Sequence, residues 1–245
     1  MKEINIFEAH TSYVLGLRFT KDSRTLISCG MDNQLKLWSA PDWTFSSSFS
    51  GHQNSVNSFD LSPDEKWLAT GSSDQTVKLW SFPSGDLLHT LQDRKKVIST
   101  VQISPDGKWV VCGSYGGRIA LWTTSGEPVN SFKANPKNLT SALFSPDMNT
   151  LVTAGLGDEI QLWLVPDFYH LASLSGHKTA VTVHTYIRNG SVLVSSGYEG
   201  AIKFWDADNR KLIKTLDPEL SGIRAVAVSP DENLLAVSGE SQVKL

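Results

Sequence analysis

Five near-copies of one phrase, each closing on a tryptophan, run through the chain: QLKLW to Trp38, TVKLW to Trp80, RIALW to Trp122, EIQLW to Trp163 and AIKFW to Trp205. The intervals between those tryptophans are 42, 42, 41 and 42 residues. A constant period near forty, with several short strand-like runs inside each unit, is the signature of a β-propeller built from repeated blades. The stretch from Gly51 to Trp80, GHQNSVNSFDLSPDEKWLATGSSDQTVKLW, shows the unit most clearly. The alternating runs SVNSFDLS, KWLATGS and TVKLW read as strands, the first two joined by the turn Ser62-Pro63-Asp64-Glu65. DLLHTLQ, after Trp80, reads as a fourth. Turns of the same kind recur at Ser104-Pro105-Asp106-Gly107, Ser145-Pro146-Asp147 and Ser229-Pro230-Asp231, with Lys21-Asp22-Ser23 and Arg188-Asn189-Gly190 as variants. Six units follow, at approximately residues 2–38, 43–80, 86–122, 127–163, 168–205 and 211–245, and no helical period separates them. The expected fold is all-β, with four-stranded antiparallel blades in a single domain over residues 1–245.

Composition supports a globular chain: 40% hydrophobic and 19% charged residues, a net charge of -3 and no low-complexity stretch. That charge argues against bulk electrostatic attachment to nucleic acid, which calls for a basic face. The start, MKEINIFEAHTSYVLGL, has no basic region followed by an apolar stretch, and no segment approaches the ~18 apolar residues of a membrane helix. The expectation is a cytoplasmic protein without a membrane span, the nucleus remaining open. In that compartment the sequons at Asn138-Leu139-Thr140 and Asn189-Gly190-Ser191 are chance matches. Cys29 and Cys112 form no CxxC pair and read as buried free thiols. No glycine-rich phosphate loop, HExxH, calcium loop or close carboxylate pair is present, so neither a cofactor nor a metal site is expected.

With these offsets in view, the chain resembles the WD-repeat family, whose units carry a Gly-His pair, a Ser or Thr, an Asp and a closing Trp-Asp. His10, Ser28, Asp32 and Trp38, like His52, Thr70, Asp74 and Trp80, stand 28, 10 and 6 residues before their tryptophan. The fifth unit has His177, Ser195 and Trp205 but Glu199 for the Asp. The third carries Arg94, Cys112 and Gly116 at the polar positions, and the fourth Asn135, Thr153 and Gly157 with Asp158 displaced by one. Only Trp205 is followed by Asp. The resemblance implies that each polar set is a hydrogen-bonded chain inside a blade, from indole to hydroxyl to imidazole to carboxylate. A hydrolase triad needs one copy in a cleft, whereas buried polar groups need partners in every blade. These residues are therefore expected to stabilise the fold and not to catalyse. Trp67 and Trp109 read as packing within second strands, and Trp43 as cover on an outer strand.

The resemblance also places residues 2–7 as the outer strand of the last blade, giving a closed six-bladed ring. The alternative is a partial copy of a longer, seven-bladed protein with an open edge at 242–245. Two loops per blade are left unexplained by the fold, one following the His position and one preceding the Asp position, and the resemblance puts both on one narrower face. The pre-Asp position is Met31, Ser73, Tyr115, Leu156, Tyr198 and Gly239, mostly large residues at turn tips. The post-His loops supply Tyr13, Asn54, Lys95, Lys96, Lys137, Asn138 and Lys178, with Arg94 at a His position; Glu199, Asp217 and Glu219 make the next arc acidic. Aromatic anchors with a charged rim suit docking of a protein or peptide. The expected function is a non-catalytic interaction scaffold, either a monomer or part of a larger complex. The rival is phosphate or nucleic-acid contact through the basic arc of blades three to five, Arg94, Lys95, Lys96, Lys137 and Lys178.

Overall fold

The computed structural model describes residues 6–135, 137–220, 222–223, 225–229, 231–239 and 242–245, with all their side chains except those of Val183 and His184. Its strands form six antiparallel meanders of the β-propeller blade type. Sheet one holds β1 (Val14–Phe19), β2 (Thr25–Gly30), β3 (Leu35–Ser39) and β4 (Thr44–Phe49). Sheet two holds β5 (Val56–Leu61), β6 (Trp67–Ser72), β7 (Val77–Ser81) and β8 (Leu87–Leu91), and sheet three β9 (Ile98–Ile103), β10 (Trp109–Ser114), β11 (Arg118–Thr123) and β12 (Pro128–Lys133). Sheet four holds β13 (Leu139–Phe144), β14 (Thr150–Gly155), β15 (Glu159–Leu164) and β16 (Tyr169–Ser175). Sheet five holds β17 (Val181–Ile187), β18 (Val192–Gly197), β19 (Ile202–Asp206) and β20 (Lys211–Leu216). Among the described residues the sixth has three strands, β21 (Ala225–Val228), β22 (Leu235–Ser238) and β23 (Val243–Lys244). Of the expected closing strand, residues 2–5 lie outside the described residues, and Ile6 and Phe7 are not in a strand. The strands group into two compact units, Met1–Ser114 with Ala120–Ser131, and Tyr115–Ile119 with Phe132–Leu245.

The same local chemistry builds each sheet. The second and third strands are covered on both faces, so they read as runs of apolar and small residues, as in β6 (WLATGS) and β7 (VKLWS). Fourth strands such as β8 and β20 face solvent along most of their length and carry Thr, Lys and His. The turn from first to second strand is closed by side chains: Ser62 Oγ donates to Asp64 at 2.7 Å and accepts from Trp67 N–H at 3.2 Å. Thr20 with Asp22, Ser104 with Asp106, Ser145 with Asp147 and Ser229 with Asp231 repeat the bond at 2.5–2.7 Å. A residue with positive φ ends each of these turns, at Ser23, Glu65, Gly107, Met148 and Glu232.

In the first unit, successive sheets are joined by indole packing and by side chains capping backbone. Trp80 is 2% exposed and packs with Phe49 of β4, ring centroids 5.8 Å apart, in a cluster with Ile27, Leu35 and Leu37. Trp122 and Leu91 share a second cluster, and Phe7 lies 4.7 Å from Trp38. Each of these tryptophans thus meets the residue 31 positions before it. The strand β9 starts its sheet and so has an unpaired edge, which β5 satisfies: Ser58 Oγ accepts from Val101 N–H at 3.2 Å, Asp60 from Ile103 N–H at 2.9 Å, and Asn57 Nδ2 donates to Ile98 C=O at 2.8 Å. Asp60 also pairs with Arg18, so one carboxylate ties three sheets together. In the second unit Phe132 packs with Trp163 at 4.7 Å, Leu174 shares a cluster with Trp205, and Thr140 Oγ1 donates to Val181 C=O at 2.5 Å, the place Asn57 takes in the first. Both cysteines are buried free thiols, which burial pushes up to about 12.

The packing predicts unequal costs along a repeat. Phe49→Ala opens a cavity beneath Trp80 and is expected to cost about 3–5 kcal/mol. Leu88→Ala, on the exposed fourth strand, is expected to change stability by no more than about 0.5 kcal/mol. Chemical denaturation midpoints of the two variants check both; equal shifts would contradict the packing.

Candidate functional site

Three polar sets occur with nearly the same geometry. In sheet two, Trp80 Nε1–H donates to Thr70 Oγ1 at 2.8 Å, that hydroxyl lies 2.7 Å from His52 Nε2, and His52 Nδ1 lies 2.7 Å from Asp74. In sheet one Trp38, Ser28, His10 and Asp32 give 2.8, 2.8 and 2.7 Å, and in sheet five Trp205, Ser195, His177 and Glu199 give 2.8, 2.8 and 2.6 Å. The carboxylate fixes the tautomer with hydrogen on Nδ1, so Nε2 accepts from the hydroxyl. Burial pulls His52 and His177 below the usual imidazole range against the opposing pull of Asp74 and Glu199. Burial alone would raise the acids; Thr76, the Gln53 N–H and His52 hold Asp74 below its ordinary value, and Thr179 and His177 do the same for Glu199. Ser28, Thr70 and Ser195 are at most 1% exposed, so no substrate carbonyl can reach these hydroxyls. In sheet four Trp163 Nε1–H donates to Thr153 at 3.0 Å, while buried Asn135 stands at the His position and caps Lys137 N–H at 2.9 Å. In sheet three Arg94 at that position is exposed to solvent.

The acid at the end of each chain also shapes the loops. Asp32, Asp74 and Glu199 accept the N–H of the residue after the histidine, from Thr11, Gln53 and Lys178 at 3.3, 3.0 and 3.4 Å. A second tie joins the post-His loop to the pre-Asp position through backbone: Met31 N–H to Tyr13 C=O, Ser73 to Ser55, Leu156 to Asn138 and Tyr198 to Ala180, all at 2.9–3.0 Å. The two loops are therefore clamped together while the side chains between them point outward. Tyr13 is 77% exposed, Tyr198 57%, Tyr115 47%, Met31 46% and Leu156 39%. In the second unit Gly116 N–H donates to Asn138 Oδ1 at 2.8 Å, and Gly117 C=O accepts from Ala134 and Asn135 N–H. A Cβ on Gly117 would stand 1.9 Å from Asn135 O, so this approach requires glycine.

These bonds gather Tyr115, Lys137 and Leu156 into one locale, and Lys178 and Tyr198 into another, both in the second unit. Tyr13 and Met31 form a third in the first unit. Arg94, Lys95 and Lys96 are exposed on a loop of the first unit, Arg94 and Lys95 with positive φ. Gly239 N–H is bonded to Gln242 C=O at 3.0 Å. The reading of the sequence missed two participants, Thr76 and Thr179, which hold the acids; it placed Asn138 in a post-His loop but not its link between two loops. Thr76 and Thr179 were legible only as polar residues near the His and Asp positions.

Two outcomes follow from the buried chains. Thr70→Val strips the Trp80 N–H and His52 Nε2 of their shared partner and is expected to cost about 1–3 kcal/mol for each group left unsatisfied, read from denaturation midpoints. The depressed folded pKa of His52 and His177 means that their contribution is complete above the unfolded value of about 6.5 and is lost as pH falls below it. The depressed acids add a further loss below about pH 4. Calorimetry should show a melting temperature that is flat from pH 8 to 7, falls between 6.5 and 5, and drops again below 4; a flat profile down to pH 5 would contradict the assignment.

Comparison with known proteins places this architecture. A stretch of 87 residues, 35% of the chain, is 31% identical to the CCR4-associated factor 4 homolog of Candida glabrata, covering 15% of that protein. Transducin beta-like protein 3 of Rattus norvegicus is 30% identical over 111 residues, 44% of this chain and 14% of its own length. Meiotic recombination protein rec14 of Schizosaccharomyces pombe is 27% identical over 109 residues, 36% of its length. The chain thus matches only a minor part of each relative. The family model of the IFT122 first β-propeller matches residues 2–245. The repeat, the blades and that match together show that the chain belongs to the WD-repeat β-propellers, in the family of the IFT122 first propeller.

Proposed function

We propose that residues 1–245 act as one non-catalytic propeller domain, an interaction scaffold that holds exposed loop tips against protein or peptide partners. The observation that carries this reading is the clamped loop pair. Large side chains stand exposed at repeated positions, yet the backbone beneath them is fixed by the 2.9–3.0 Å ties and by the buried acids. A fixed loop lowers the entropy lost on docking, and tyrosine supplies contact area with few torsions to freeze. Relatives in this family support a role in binding proteins, while the partner of this chain follows from its own loops.

The double variant Tyr115→Ala, Tyr198→Ala is expected to remove specific protein partners in quantitative affinity purification while keeping stability within about 1 kcal/mol, because both side chains are exposed. An unchanged partner set would overturn the assignment of the loops. Lys95→Ala, Lys96→Ala, Lys137→Ala addresses the electrostatic rival: binding to a labelled oligonucleotide that falls steeply with salt, and is lost in this variant, would replace the scaffold reading.

A further inference from the structure

Inside the units, four seams between sheets bring the first residue of a second strand to the end of the next sheet's first strand. Between sheets one and two the pair is Thr25 and Leu61, neither aromatic; Leu61 lies in a cluster with Leu37, Phe49 and Leu68, against which Phe59 and Phe82 pack. Between sheets two and three the pair is Trp67 and Ile103, and Trp67 packs on a cluster that includes Leu79, Leu91, Ile103 and Val110. Between sheets four and five the pair is Thr150 and Tyr186; the small residue has moved to one side and the aromatic to the other. Tyr186 packs against a cluster that includes Val152, Leu162 and Leu193, burial pushes its phenol up, and the notch that remains is about 180 Å³. Between sheets five and six the pair is Val192 and Val228. Neither side supplies an aromatic, and a cleft of about 280 Å³ stands open there.

The lining shows what is missing. Phe204, Leu216, Val228 and Leu235 stand in the cleft at the repeat positions of Leu79, Leu91, Ile103 and Val110, the residues grouped around Trp67. Val192 pairs with Asp206 as Trp67 pairs with Ser81. The cleft is thus the seat of the Trp67 side chain, kept in shape with its occupant removed. Its volume is just below that of small-molecule pockets and suits one aromatic side chain. Ile213 and Leu234, 54% and 55% exposed, flank the opening.

Charge at the rim selects the rest of the occupant. Both oxygens of Glu232 are engaged by Arg188 N–H at 2.9 Å. Arg188 and Lys214 line the cleft, and no ion pair of either occurs among the described residues. An apolar seat lined by two cationic residues fits an anionic partner. We propose that this cleft docks a peptide segment of a partner protein that inserts one tryptophan-sized aromatic side chain flanked by acidic residues. The site is separate from the loop tips and adds a second point of attachment to the same molecule.

The test uses the whole chain and a fluorescein-labelled peptide, Gly-Asp-Asp-Trp-Asp-Gly, followed by fluorescence anisotropy, with the same peptide carrying alanine for tryptophan as control. The native protein is expected to bind the tryptophan peptide saturably and at least tenfold more tightly than the control. Val192→Trp fills the seat with the repeat's own side chain and is expected to keep or raise the melting temperature while weakening binding at least tenfold. Ile213→Glu, on the exposed strand, is expected to abolish binding without a demand on folding, and Lys214→Glu to weaken it several-fold. Absence of saturable binding, equal affinity for the control, or binding unaltered in a folded Val192→Trp or Ile213→Glu protein would overturn the proposal. Such a failure is separable from failure of the loop reading, which is measured on other residues and on protein partners.

Discussion

A buried indole N–H cannot be left unpaired without losing about the worth of a hydrogen bond or more, and this chain buries one at each repeat closure. The rest of a blade is arranged around that requirement. The hydroxyl of Ser28, Thr70, Thr153 or Ser195 meets the indole. In three blades the hydroxyl then needs a partner of its own, which the histidine supplies, and the histidine needs a carboxylate to settle its tautomer. The carboxylate ends near the surface, where it takes the N–H of the loop that follows the histidine. A packing requirement in the core therefore reaches the loop tips in four hydrogen-bonded steps. The other side of the indole does equal service: Trp80, Trp163 and Trp205 lie against the last strand of the preceding sheet, so one residue type holds a blade together and holds it to its neighbour.

Blades lacking parts of this chain keep the packing and change the polar solution. Sheet four retains Trp163 and Thr153 but substitutes Asn135, whose short amide caps the loop at Lys137 directly. Gly157 lies beside it: a Cβ there would stand in ordinary contact with the Asn135 amide, 3.7 Å from Nδ2, so the two positions that hold histidine and acid in other blades remain neighbours here. In sheet three Arg94 stands exposed to solvent. In the second unit the Gly116-Gly117 turn is held by Asn138 and by the backbone of Ala134 and Asn135. In sheets one, two, four and five the loops remain clamped through backbone. What varies there is whether a carboxylate or an amide adds to that tie.

The strands, their order and the turns were legible because they depend on local signals: alternation, Ser-Pro-Asp turns and a tryptophan every 41 or 42 residues. The buried chains were legible as offsets of 28, 10 and 6 because a repeated spacing specifies repeated geometry. Contacts that join different repeats were harder to see. Asp60 binds Arg18 and Ile103 from an otherwise unremarked strand position, and Asn138, legible as a post-His loop residue, connects two loops by a bond that its spacing does not announce. The indole-to-Phe contact at 31 residues is periodic too, yet Leu91 and Leu174 replace phenylalanine in two repeats, so no single residue type marks it. Interactions between repeats leave a sequence signal only where the partners vary together.

That condition also tells structure from function at the seams. A junction position under pure packing selection should vary in compensated pairs, because a lost aromatic volume must be refilled or the lining loses its contacts. Thr150 with Tyr186 is such a pair when set beside Trp67 with Ile103. Val192 with Val228 is not: volume is lost on one side with no return on the other, while the four apolar residues that would surround an indole stay in place and two cationic residues line the cleft. An uncompensated vacancy costs stability to whatever extent its walls cannot collapse. A sheet seam that keeps its walls apolar and open, where Trp67 occupies the equivalent place between sheets two and three, has the form of a receptor whose missing side chain belongs to another protein.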